Sequence, residues 1–82
     1  MIDINENIQV IAHFKDGQLL PRKFAWQKRS YKIEKILGTY ISRDGRYQSY
    51  YYAVLAASNV YEICLDLKGM NWRLTKIQQE EF

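Results

Sequence analysis

The chain has 82 residues, enough for one small domain with a limited core, and its 48% hydrophobic and 26% charged residues exclude a disordered segment. One histidine and one cysteine exclude an internal disulfide framework and a Cys/His zinc site. The net charge of +3 is unevenly spread: residues 15–46 hold nine basic residues against three acids, whereas residues 47–82 hold three against four.

The first residues, Met1 to Glu6, are acidic and lack an apolar run, so no signal peptide is expected there. No stretch nears the roughly 20 apolar residues of a membrane helix. With a single cysteine in so small a chain, a reducing, cytoplasmic compartment and no membrane contact are the expectation. Residues 1–7 and 78–82 read as loose ends around a single domain at 8–77.

Strand signals begin at Ile8, Val10, Ala12 and Phe14, which alternate with Gln9, Ile11 and His13. Asp16-Gly17 follows, a strong hairpin dipeptide because both positions tolerate positive φ. Leu20, Phe24 and Trp26 share one parity, which Arg22 interrupts, so full pairing is expected only after Pro21. Gln27-Lys28-Arg29 is a polar connection. Residues 30–38 fit helical spacing through Ile33, Ile36 and Leu37, with Ser30 as an N-cap and Gly38 as a stop. The same stretch also fits a strand, which its β-branched and aromatic residues favour. Arg43-Asp44-Gly45 is a second Asp-Gly turn. Residues 50–57 carry helix-forming alanines, but the Tyr50-Tyr51-Tyr52 run and Val54 pull them towards strand. Ser58-Asn59 and Lys68-Gly69 are further turns. Between and after them, Tyr61, Ile63, Leu65 and Leu67, then Met70, Trp72 and Leu74, alternate with polar residues as the clearest hairpin.

Short strands at regular spacing predict an all-β fold, a small SH3-like barrel of five or six antiparallel strands. An OB-like barrel with a short helix near 30–38 is the alternative. The expected interior is Phe24, Trp26, Ile33, Val54, Ile63, Leu65, Trp72 and Leu74.

No catalytic constellation, metal site or cofactor motif is legible. His13 stands alone. Cys64 lies on the polar parity of its strand with no base in view to lower its pKa. Asp16 and Asp44 are the acids of Asp-Gly turns, and the four glycines are scattered, so no phosphate loop forms. One pattern carries chemistry. Basic and aromatic residues interleave from Arg22 to Tyr52, a mixture that binds single-stranded nucleic acid by cations on phosphates and rings on bases. The candidate phosphate contacts are Arg22, Lys23, Lys28, Arg29 and Lys32. The candidate stacking residues are Tyr47, Tyr50 and Tyr52. The expected function is therefore a non-catalytic binding module with weak nucleic-acid affinity. The alternative is a protein-interaction or homodimerisation module using the same exposed Tyr and Arg.

The run from Pro21 to Ile33, followed by Ile36, Tyr40, the Tyr50–Val54 strand, Tyr61 to Leu67 and Trp72-Arg73-Leu74, resembles a family of short bacterial domains of unknown function. Some members of that family are associated with translesion DNA polymerase genes. The resemblance spans residues 8–77 and rests on spaced aromatics. The family usually has Trp where this chain has Tyr40. It implies an all-β fold and a link to DNA metabolism, and it supplies no catalytic residues.

Overall fold

A computed structural model describes residues 2–78, the Asp44 side chain apart. Its regular elements are the strands β1 (Ile2–Asn7), β2 (Gln9–Lys15), β3 (Gln18–Trp26), β4 (Arg29–Lys32), β5 (Lys35–Asp44), β6 (Tyr47–Ala56), β7 (Asn59–Asp66) and β8 (Asn71–Gln78). Every pairing is antiparallel. One sheet has the order β1-β8-β7-β6-β5 and the other β2-β3-β4. The fold is all-β, and neither ambiguous stretch is helical: 30–38 falls in β4 and β5 with a break at Ile33-Glu34, and 50–56 in β6 with Ala57 in the turn that follows.

The strand segments number eight rather than five or six because two long strands bend between the sheets. The chain leaves the larger sheet at Ile8, whose N–H donates to the Trp72 carbonyl (3.1 Å). It returns at Ile33 and Glu34, whose N–H groups donate to the carbonyls of Arg22 (2.9 Å) and Leu55 (2.8 Å). These bonds satisfy backbone groups that the bends would otherwise strand.

Residues 2–7 are not a loose end. Ile2 and Ile4 alternate with Asp3 and Asn5, β1 pairs with β8, and Ile4 packs against the core. The alternation was too short to stand out in the sequence, but β8 offers a paired edge and the core an apolar seat. Gln78 closes β8. Residues 79–82, part of the other expected loose end, lie outside the described residues.

Asp16-Gly17 turns with φ of 53° and 75°, the handedness that a two-residue hairpin demands. Gln27-Lys28 (53°, 64°) and Ala57-Ser58 (47°, 64°) adopt the same turn without Gly or Asn. The second lies one residue earlier than the Ser58-Asn59 dipeptide suggests, because the strand register places Ala56 opposite Asn59.

Phe24, Ile33, Val54, Ile63, Leu65 and Leu74 are buried as expected. Trp26 and Trp72 are half-buried at the margin of that core. Tyr61 joins it as well: the Phe24 ring stacks on Tyr31 (4.9 Å, 15°) and meets Tyr61 edge-on (5.2 Å, 68°). The Arg22 anomaly is a β-bulge. Ile11 faces Lys23 while Ala12 faces Pro21, so Arg22 is the extra residue. The bulge shifts parity, burying Pro21 and Phe24 together and leaving Arg22 in solvent.

Candidate nucleic-acid interface

The five cations singled out from sequence all lie exposed on or beside the three-stranded sheet. Arg22 occupies the bulge, Lys28 the β3–β4 turn, and Arg29 the start of β4. Lys23 stands directly opposite Lys32. Like charges facing across a strand pair oppose folding, so this row owes nothing to stability. The span 9–32 carries six Lys and Arg against the one acid Asp16.

The three tyrosines lie on the other sheet, along β6, and the fold does not bring them to that basic face. Tyr52 is a correction. It is 5% exposed, its ring packs against Trp72 (5.8 Å), and its hydroxyl donates to the Leu19 carbonyl (2.8 Å). A ring held in this way is closed to a base. Tyr50 shares the inward parity and is half-buried against the core. Tyr47, at the strand's start, is exposed.

Cations and rings do meet on the outer face of the five-stranded sheet. An open cleft of 530 Å³ there is lined by Ser42, Arg43, Tyr47, Ser49, Tyr51, Asp66, Lys68 and Arg73. The sheet register builds it: Tyr40, Tyr51, Cys64 and Arg73 form one cross-strand row, and Ser42, Ser49, Asp66 and Asn71 the next. The Arg73 guanidinium is held by donating Nη1–H to Asn5 Oδ1 (2.6 Å) and Nη2–H to Cys64 Sγ (3.8 Å). A guanidinium has five N–H donors, so others remain for a ligand. Lys68 Nζ sits 5.1 Å from the centre of the Tyr47 ring, within cation–π range. The Lys68 backbone N–H donates to Asp66 Oδ1 (3.0 Å), which fixes the turn beneath it. Arg43 is exposed at the mouth.

Tyr51 stacks on Tyr40 with ring centres 4.6 Å apart and planes 3° from parallel. The Tyr40 hydroxyl donates to Glu62 Oε1 (2.9 Å), and the Thr75 hydroxyl donates to Glu62 Oε2 (2.6 Å). Desolvation and then the Glu62 carboxylate push Tyr40 up to about 12. Desolvation, and then Cys64 beside it, raise Tyr51, with Arg73 opposing. Both hydroxyls are therefore protonated donors at neutral pH. The cleft lining thus sets three cations, Arg43, Lys68 and Arg73, against the one carboxylate Asp66, beside the Tyr47 and Tyr51 rings.

Lys68 and Arg73 escaped the sequence reading because they sit in a C-terminal segment with a slight acidic excess. Their signal was parity: Tyr51, Cys64 and Arg73 all occupy the outward positions of their strands. His13 is exposed on β2, and Cys64 is buried beneath Arg73 and Tyr51. Among the described residues, no group of three or more His, Cys, Asp or Glu is placed to hold a metal, and no helix is long and apolar enough to cross a membrane. Comparison with family models, curated proteins and solved structures finds no match to this chain.

Proposed function

We propose that this chain is a non-catalytic module that binds single-stranded nucleic acid in the cleft of the five-stranded sheet. The observation that carries the reading is the convergence of Arg43, Lys68 and Arg73 with Tyr47 and Tyr51 on one concave surface. Cations suit phosphates, and tyrosine rings suit bases of any sequence. The cations of the smaller sheet, Lys23 and Lys32 foremost, form a second face that attracts a polyanion without reading it. The non-catalytic part of the reading rests on a lone exposed His13 and a sealed Cys64.

The same reading takes the fold as a small SH3-like barrel that opens at its corners. It is supported by the unbroken passage of the chain from sheet to sheet at Ile8 and at Ile33–Glu34.

Labelled single-stranded DNA and RNA should gain fluorescence anisotropy when titrated with the chain at low salt. Arg43→Gln combined with Lys68→Gln, both at exposed positions, should weaken that binding. The absence of any gain at high micromolar chain overturns the reading.

A further inference from the structure

The five-stranded sheet ends on β5, which pairs with β6 and with no other strand among the described residues. Its outer edge is open along 10 residues. Leu37, Tyr40 and Ile41 on that strand are 47%, 54% and 64% exposed. Open edges normally carry charges, proline or bulges that discourage a new strand. The opposite edge, β1, carries Asp3 and Glu6. On β5 the charged residues Lys35, Arg43 and Asp44 fall at the two ends of the strand, and between them the one such device is a bulge at Leu37, where the register jumps from Ile36 to Gly38. Beyond it, Gly38–Asp44 pairs regularly with β6. From Ile36 to Ser42 the strand has no charge and no proline.

A groove of 260 Å³ runs beside this edge. Leu19 and Leu20 of β3 form one wall, Thr39 and Ile41 of β5 the other. The groove is thus lined by residues of both sheets.

We propose that β5 pairs with β5 of a second copy, antiparallel about a two-fold axis at Ile41. An uncharged, β-prone run of this length is compatible with itself, whereas a charged edge repels its own copy. A two-fold lets one strand supply donors and acceptors to its twin, so the contact closes at two chains. With Ile41 on the axis, Tyr40 faces the partner's Ser42 and Thr39 faces the partner's Arg43, so no like charges oppose. The exposed Ile41 side chains meet each other beside the two grooves. In this arrangement the outer clefts of both copies lie on the same side of one continuous sheet.

The test needs no nucleic acid, so its failure is separable from failure of the binding reading. Sedimentation equilibrium of the whole chain, from micromolar to submillimolar, should show the mass rising from 9.8 kDa towards its double. Ile41→Glu should hold the mass at the monomer value with an unchanged circular dichroism spectrum. Ile11→Glu, at another exposed isoleucine, should leave the dimer intact. Ile41→Cys should yield a disulfide-linked dimer on mild oxidation, because facing residues of an antiparallel pair lie within disulfide reach. Ile11→Cys should not. A wild-type chain that stays monomeric throughout, a dimer that survives Ile41→Glu, or equal cross-linking at both cysteines overturns the proposal.

Discussion

The Tyr40 hydroxyl reaches from β5 past β6 to donate a 2.9 Å hydrogen bond to Glu62 on β7. Ala53, opposite Glu62 on the intervening strand, is small enough to leave that path open. The bond ties the edge strand to the centre of the sheet and orients the Tyr40 ring against Tyr51.

It also carries a pH signature. Tyr40 is raised from 10.0 to about 12, chiefly by desolvation and then by Glu62. The folded chain thus holds this proton more tightly than the unfolded chain does. Its contribution to stability is full below pH 10 and is lost as pH climbs towards 12. Tyr51 and Tyr52 are raised in the same direction and add to the loss. Urea titrations across that window should show stability falling with pH, and Tyr40→Phe should fall less steeply. At neutral pH the Phe variant should lose about 1 kcal/mol or less, the worth of one exposed hydrogen bond.

The core should tolerate much less. Ile63 has no exposure and lies between Tyr52 and Leu74 in the sheet register. Ile63→Ala should cost about 2–5 kcal/mol, a large share of the roughly 4–12 kcal/mol expected of a domain this size. Urea unfolding should show a lower midpoint with little change in slope. A loss below about 0.5 kcal/mol would contradict the burial described.

The β3–β4 turn offers the opposite result. Gln27 and Lys28 both hold positive φ without the residues that favour it. Gln27→Asn with Lys28→Gly should stabilise the chain by about 1 kcal/mol. A thermal melt should then rise by about 4–8 °C, while nucleic-acid binding weakens slightly through the lost Lys28 charge.

These examples also show which features the sequence could carry. Alternation of Tyr61, Ile63 and Leu65 against Trp72 and Leu74 announced the last hairpin, although Leu67 and Met70, expected to continue it, lie in the connecting turn, and Asp16-Gly17 announced the β2–β3 turn, because these signals are local. The strand spacing pointed to a small barrel, but the strands divide into two sheets without closing into one, and the bends at Ile8 and Ile33 that lead from sheet to sheet have no Gly or Pro to mark them and are held by long-range backbone bonds. Of the residues lining the cleft, Tyr47 alone stood among the sequence candidates. Arg22, Lys23, Lys28, Arg29 and Lys32 were recognisable as exposed cations from their polar surroundings. Tyr52 looked free because its run of tyrosines hides which parity faces the core. Arg73 looked ordinary because its neighbours in space, Asn5, Tyr51 and Cys64, are distant in sequence, and only the register joins them.

The salt dependence of single-stranded DNA affinity tests the central claim most directly. Each neutralised phosphate contributes a slope of about −0.7 in log affinity against log salt. The wild-type chain should bind with a clear negative slope, and Arg43→Gln with Lys68→Gln should flatten it by about 1.4, two phosphates' worth. Reversal of Lys28 and Arg29 to Glu should weaken affinity for every sequence alike. Absence of binding at low salt, or a slope unchanged by the cleft substitutions, would contradict the assignment of the cleft as the nucleic-acid site.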